Sequence, residues 1–455
     1  MSSIVIIGGS DAGISAALRA REVDSTAAVS MVLADAFPNY SICGLPFYLS
    51  GEVSDWRKLA HRSLAEIEQA GITVRLNTRA LRIDPQQRTV VVQRADGEPE
   101  ILRYDRLVIG TGAEPIRPPI PGLDLPGVFL LHSMDDSFAV ARFLDTQRPR
   151  RALIIGAGYI GLEMADALRN RGLAVTVAEQ ASAVLPTVDT AFGERLGTYL
   201  RRQGVEVRTG VRIEQIRPAA ETLRVTGDRG YEQDVDMVLA VVGVRPVTHL
   251  AGEAGIPLGV RGAIRVDRTM ATNHADIFAA GDCVETYHRL LKASTYLPLG
   301  TTAHKQGRVA GDNAAGGHQQ FAGSLGTQVV KVLDWAVART GFRDHEAQAA
   351  GYHPITVELT VWDHKAYYPG AHEVVLRVTG DKDTGQLLGA QIMGHWQGAI
   401  AKRVDIFAMA LTQGMAVAEL LQADLSYTPP LGSPWDAVQM AAEHWVKQAR
   451  GREFV

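Results

Sequence analysis

With 455 residues, a formal charge of −4 from 46 basic and 50 acidic side chains, and 46% hydrophobic content, the chain exceeds one ordinary core and has the balance of a globular protein. The mixed charge signs exclude a broad basic surface for nucleic acid or anionic membrane, and two cysteines, Cys43 and Cys283, exclude a disulfide framework or a cysteine-rich metal motif. No basic or apolar leader precedes the first strand-like run and no run approaches membrane-spanning length, so a cytoplasmic protein acting on small molecules is expected.

In chain order, residues 4–7 read as a β-branched strand, Gly8-Gly9-Ser10-Asp11-Ala12-Gly13 as a tight turn and residues 14–21 as a helix. Residues 29–33 read as a second strand leading to Asp35, about 20 residues beyond the last turn glycine, where a dinucleotide site carries its ribose-binding carboxylate. The same grammar returns as a strand over 152–155, the turn Gly156-Ala157-Gly158-Tyr159-Ile160-Gly161, a helix over 162–170 and a strand over 174–178 ending at Glu179. Between the two units, Arg117-Pro118-Pro119-Ile120-Pro121-Gly122 is incompatible with helix and suits a domain crossover. The second unit runs to Val241-Val242-Gly243-Val244-Arg245-Pro246, and residues 277–280 form another apolar strand before Gly281-Asp282. From residue 324 onward no phosphate-binding turn occurs, and strand-like 355–362 and 374–378 alternate with helix-like 399–413, which suits an α+β domain.

In such glycine turns the first glycine allows the bend, the second lets backbone approach a pyrophosphate and the third lets helix and strand pack closely. The phosphates then sit on the helix N-terminus, where free N–H groups and the dipole favour anions. Gly156, Gly158 and Gly161 complete this set, whereas the first turn has Gly8 and Gly13 with the small Ser10 between them. Two such units imply two dinucleotide cofactors side by side. Glu179 would bond the adenosine ribose hydroxyls and repel a 2′-phosphate, and Gln180-Ala181-Ser182 offer no arginine to receive one; NADH is favoured, with NADPH as the alternative.

Further stretches carry a family resemblance. Tyr104-Asp105-Arg106-Leu107-Val108-Ile109-Gly110-Thr111-Gly112 and Asp276-Ile277-Phe278-Ala279-Ala280-Gly281-Asp282, taken with the two turns, resemble the pyridine nucleotide-disulfide oxidoreductases that pair FAD with NAD(P)H, and do so over essentially the whole chain. The resemblance implies an α/β fold of two Rossmann-like dinucleotide-binding domains plus a C-terminal α+β dimerisation domain. FAD would be held by 1–116 and 247–323, NAD(P)H by 117–246, and dimerisation would fall to 324–455. It implies FAD contacts from Gly8, Gly13, Asp35 and Asp282, NADH contacts from Gly156, Gly158, Gly161 and Glu179, and cofactor contacts from Thr111 and Gly243. Residues 299–308 resemble the helix whose N-terminus faces the flavin, with His304 a structural residue on it.

Asn39-Tyr40-Ser41-Ile42-Cys43-Gly44-Leu45-Pro46 resembles the single-cysteine branch of that family, which includes coenzyme A-disulfide reductases, NADH oxidases and peroxidases, and polysulfide reductases. A cysteine at a helix N-terminus has its thiolate stabilised by the dipole, so Cys43 is expected to be an activated thiolate. No second thiol stands near it in sequence. Its redox partner therefore comes from outside, as a small disulfide, a polysulfide, a coenzyme A-type thiol, or an oxygen atom in a sulfenic acid. Cys283 reads as a small packed residue.

Asp363-His364-Lys365-Ala366-Tyr367-Tyr368-Pro369-Gly370-Ala371 and Ser426-Tyr427-Thr428-Pro429-Pro430 resemble segments of the coenzyme A-disulfide reductases. There, tyrosines of one subunit reach the cysteine site of the other, which implies a homodimer with shared sites and catalytic roles for Tyr427 and one of Tyr367 and Tyr368. A tyrosine hydroxyl can donate to a leaving sulfur. The expected activity is FAD-dependent NAD(P)H reduction of a small disulfide or polysulfide through one redox-active cysteine. An NADH oxidase or peroxidase cycling through a sulfenic acid, and an electron-transfer flavoprotein reductase for a protein acceptor, are the alternatives. Two departures bear on these: Ile42 stands where coenzyme A-binding relatives often carry asparagine, and Ser10-Asp11 where oxidase and peroxidase relatives carry histidine. Arg19 and Arg21 on the first helix are expected either to meet ligand phosphates or to form a solvated face. No histidine shows metal-ligand spacing.

Overall fold

Short β-branched runs between glycine turns build two parallel sheets. The computed structural model describes residues 2–451. In the first sheet, strands Ile277–Ala279, Arg106–Ile109, Ser3–Ile7, Ala28–Val32 and Ile72–Arg75 lie side by side in that order, all parallel. Alternate residues of Ser3–Ile7 enter two different cores, Ile4 and Ile6 one and Val5 and Ile7 the other, so the strand is covered on both faces, as parallel strands are. Helices Asp11–Val23 and Gly300–Ala314 cross closely over one face, where a Cβ on Gly307 would stand 2.3 Å from the Ala12 carbonyl oxygen.

The second sheet repeats the plan with Glu206–Thr209, Ala174–Glu179, Arg151–Ile155, Met237–Ala240 and Val128–Phe129. The passage between the two units is a two-stranded ribbon. Ala113–Pro115 runs antiparallel to Val244–Pro246, and the Ile116 N–H donates to the Gly243 carbonyl at 2.9 Å. The proline-rich run thus follows the crossover rather than forming it.

The last unit is a five-stranded antiparallel sheet ordered Gln328–Val332, Trp335–Gly341, Leu387–His395, Glu373–Asp381 and Pro354–Trp362. One face packs on helices Ile400–Gln413 and Ala437–Ala449. The other contributes Val330, Val332, Val337, Val375 and Met393 to the core of the second unit. Buried polar contacts fix this seam: Asp166 accepts from the Leu333 N–H at 2.9 Å and from Lys331 Nζ at 3.2 Å. Asp189 accepts from Gln391 Nε2 at 2.6 Å and Arg377 Nε at 3.0 Å. Among the described residues, no helix is long and apolar enough to cross a membrane.

Candidate active site

The first glycine turn is sterically closed at its glycines. Gly8 has φ 109°, and a Cβ there would stand 2.0 Å from the Gly110 carbonyl oxygen; one on Gly13 would stand 2.0 Å from the Gly8 oxygen. Ser10, exposed, caps the following helix without using its hydroxyl. Two buried polar atoms around this turn have no hydrogen-bond partner among the described residues, Asp282 Oδ1 and Asn39 Oδ1. Asn39 also ties its segment to the turn by donating its N–H to the Gly9 carbonyl at 2.9 Å. Burial, then the nearby Asp11, pushes the Asp282 carboxyl up to about 6. A buried carboxylate with an unused oxygen calls for a hydroxyl donor, which the ribityl chain of FAD carries, so these residues fit that cofactor.

At the second turn, Gly156 has φ 104° and a Cβ on Gly161 would stand 2.0 Å from the Gly156 oxygen, whereas one on Gly158 would meet nothing within 4 Å. That open face beside a helix N-terminus fits a pyrophosphate. Glu179, buried, accepts at 2.8 Å from the Ala157 N–H with one oxygen and at 2.8 Å from the Ala181 N–H with the other.

The registers of the two units can be superposed residue by residue. Ile155 pairs with Ala178, one residue before Glu179, and Ile7 pairs with Val32, one residue before Leu33. Leu33, 3% exposed, lies against Gly9 where Glu179 lies against Ala157. Asp35 is two residues further on, beyond the end of the strand, exposed, with Oδ1 accepting from the Phe37 N–H at 2.9 Å. Counting from the glycines finds a carboxylate, but the pairing shows that it is not the topological counterpart of Glu179.

Cys43 lies in the 3-10 turn Ile42–Gly44 that leads into the helix Leu45–Ser50, and Leu45 and Leu49 anchor that helix in the core. The residue is exposed. The expectation of a dipole-stabilised thiolate is corrected here. Desolvation around the sulfur, then the charges of Glu163, Asp11 and Asp282, push the thiol above its ordinary value, and a helix of one and a half turns offers little dipole against three carboxylates. Glu163 comes from helix Tyr159–Asn170, which packs on Leu45–Ser50. Burial, then Asp166, raises Glu163 to about 7, with Lys331 opposing. Sequence reading missed Glu163, although a carboxylate between Leu162 and Met164, three residues before Asp166 on the same helix, was a signal. Asp11, raised by burial against the pull of His61 and His304, links Cys43 to the first turn.

The three tyrosines are surface residues of the last unit, Tyr367 at 74% exposure and Tyr368 and Tyr427 each at 42%. Among the described residues, no hydrogen bond or ring contact within the chain brings them to Cys43. Their two segments are joined to each other: the Lys365 N–H donates to the Pro429 carbonyl at 3.3 Å. Buried Arg403 spans both, donating to the Asp363 carbonyl at 2.6 Å and to the Asp436 carboxylate at 3.0 Å.

Other expectations resolve on contacts. Arg19 is paired with Asp312 at 2.6 Å and Glu22 at 3.0 Å, and Arg21 donates to the Ala27 and Ala70 carbonyls. Thr111 donates to the Val247 carbonyl at 2.6 Å, and together with Gly243 it lies at the crossover ribbon. Cys283 is fully buried, its Sγ 3.4 Å from the Ala280 oxygen, and His304 Nδ1 is 2.8 Å from Ser15 Oγ.

Comparison with known proteins agrees with this arrangement. Residues 2–307 match the pyridine nucleotide-disulphide oxidoreductase family and residues 327–438 its dimerisation domain. The chain is 31% identical to an NADH oxidase of Methanocaldococcus jannaschii, covering 98% of each protein. It is 32% identical to a CoA-dependent NAD(P)H sulfur oxidoreductase of Pyrococcus furiosus, over 96% of this chain and 98% of that one. The structure of an NAD-dependent persulfide reductase from A. fulgidus superposes with a TM-score of 0.95 at 36% identity, covering 99% of this chain and 84% of that one. With two nucleotide turns, a lone exposed cysteine beside them and a matching dimerisation unit, the chain belongs to the pyridine nucleotide-disulphide oxidoreductases.

Proposed function

We propose that the protein reduces a small disulfide or polysulfide with NADH, through FAD and Cys43, as a cytoplasmic homodimer with shared sites. The observation that carries this is the position of Cys43: exposed, without a second thiol at hand, and within the electrostatic reach of Asp11 at the first turn and Glu163 on the second-turn helix. The names of the sulfur-reducing relatives support the substrate class, and the matched dimerisation domain supports the dimer.

Gly8, Gly13, Asp282 and Asn39 would hold FAD, with Asp35 at the rim, and Gly156, Gly158, Gly161 and Glu179 would hold NADH. Thr111 and Gly243, at the ribbon between the two units, would add further cofactor contacts. FAD, when bound, supplies acceptance of hydride and delivery of electrons to sulfur. The Cys43 thiolate attacks one sulfur of the substrate; a new S–S bond forms on Cys43, the old one breaks, and the released thiolate takes a proton. Tyr427 and one of Tyr367 and Tyr368, from the partner subunit, donate to that leaving sulfur. Glu163, poised near neutrality, holds the proton that Cys43 gives up.

Mass spectrometry of untreated protein around Cys43 tests the reading. An adduct of coenzyme A or a persulfide supports it, whereas an added oxygen moves the assignment to an oxidase. Full turnover by Cys43→Ser with every acceptor would overturn any cysteine mechanism.

A further inference from the structure

The loop that carries Tyr367 and Tyr368 returns to the sheet at a pair of histidines. Strands Glu373–Asp381 and Leu387–His395 run antiparallel with Val374 opposite Gly394, so His372 and His395 meet where the two strands end. Their rings stack with centroids 4.0 Å apart and planes 7° apart. His395 is half-buried, and its Nδ1 accepts from the Gln397 N–H at 3.3 Å, so the ring is neutral with its proton on Nε2. His372 closes the neck of the loop: its N–H donates to Asp363 Oδ1 at 3.0 Å, and its carbonyl accepts from the Asp363 N–H at 2.9 Å.

Two imidazoles at this separation tolerate one proton and resist two. Like charges 4.0 Å apart repel, and a charged His395 can no longer accept from Gln397. Among the described residues, four other titratable groups surround the pair. Asp363 Oδ2 is 4.0 Å from His372 Nδ1, His364 stands on the same Asp363, Asp334 accepts with its carbonyl from the Trp396 N–H, and exposed Glu373 follows His372. Burial, then His372, holds His395 below its ordinary value against the pull of Asp334 and Asp363. We propose that the stacked histidines are a proton-operated latch on the loop of Tyr367 and Tyr368, closed while at most one ring is charged and open once both are. Asp363 favours a charged His372, so the first proton leaves the neck intact. The second, on His395, breaks the Gln397 contact and drives the rings apart. Because the closed form disfavours that proton, closure is undiminished above the ordinary histidine range and weakens as the pH falls through it. The latch is independent of the substrate assigned to the site; its consequence for turnover, withdrawal of both tyrosines in acid, rests on the functional reading.

The test is hydrogen exchange of the loop amides in the whole chain with its cofactor retained, for wild type, His372→Gln and His395→Gln, between about pH 8 and about pH 5. Comparing the three at equal pH cancels the intrinsic pH dependence of exchange. Protection should be comparable at the alkaline end, and at the acid end the loop should exchange roughly tenfold faster in wild type than in His395→Gln, with His372→Gln between or alongside the latter. The Trp396 ring lies 6.3 Å from that of His395 and should report the same step as quenched emission, which Trp396→Phe abolishes. An acid step of full size in both histidine variants would assign the response to His364 or Asp363 and overturn the latch. So would a wild-type loop whose protection and Trp396 emission stay constant across the range. Should one histidine variant fail to fold, the other decides.

Discussion

Leu33 holds in the first nucleotide unit the place that Glu179 holds in the second. The strand pairings of the two units put both one residue past the same register point, with opposite chemistry under the turn. Glu179→Leu should leave the Ala157 and Ala181 N–H groups unpaired, and NADH binding, followed by flavin-reduction rate against NADH concentration, should weaken about tenfold or more. Flavin content, read from visible absorbance, should stay at the wild-type level. Leu33→Ala should act through packing, costing about 2–5 kcal/mol in chemical denaturation.

The glycines separate folding from binding. Gly161→Ala forces a Cβ to within 2.0 Å of a carbonyl oxygen and should lower thermal stability before any ligand is added. Gly158→Ala meets open space at φ −77°, so the melting temperature without nucleotide should match wild type while the KM for NADH rises severalfold. Equal losses of stability in both variants would contradict the closed and open faces assigned to this turn.

Desolvation, and after it the carboxylates around Cys43, set its pH response. Together they raise the thiol, so alkylation of Cys43 by iodoacetamide should accelerate only above the ordinary thiol range. Glu163→Gln removes one of those charges and should shift the alkylation profile to lower pH. The same substitution bears on stability. A carboxyl raised to about 7 in the folded state opposes folding once pH passes its unfolded value, with the full penalty above pH 7. Glu163→Gln should therefore melt higher than wild type near pH 8, with the gap shrinking toward about pH 5.

Arg403 supports the tyrosine face from beneath. Replacement by leucine leaves the buried Asp436 carboxylate unpaired, and loss of one partner of such a pair costs about 3–5 kcal/mol. Hydrogen exchange should show the segments around residues 363–372 and 426–436 losing protection first, with the two parallel sheets unaffected.

Much of the fold is legible in the residues themselves because the nucleotide turns combine three local signals: a β-branched strand, glycines at fixed offsets and a helix start. Strand 174–179 and its terminal Glu179 follow from counting alone. The same count assigns Asp35 at the first turn, and it fails to find Leu33 because a strand's end is set by pairing with its neighbours and not by its own composition. The hydrogen bonds of Thr111 and Gly243 join segments more than a hundred residues apart, which no local pattern reports. The three carboxylates that raise Cys43 come from three separate elements, so the sign of its shift was accessible only once helices Leu45–Ser50 and Tyr159–Asn170 were packed.

The placement of strand Ile277–Ala279 has a consequence for how the chain is made. It completes the first sheet beside Arg106–Ile109, yet it leaves the ribosome roughly 170 residues later. At about 5–20 residues per second, the nascent amino-terminal sheet spends on the order of ten seconds or more with an unpaired edge while the entire second unit is synthesised. Translation order therefore leaves the amino-terminal unit open until the strands of the middle unit have been made, and it closes around its late strand afterwards.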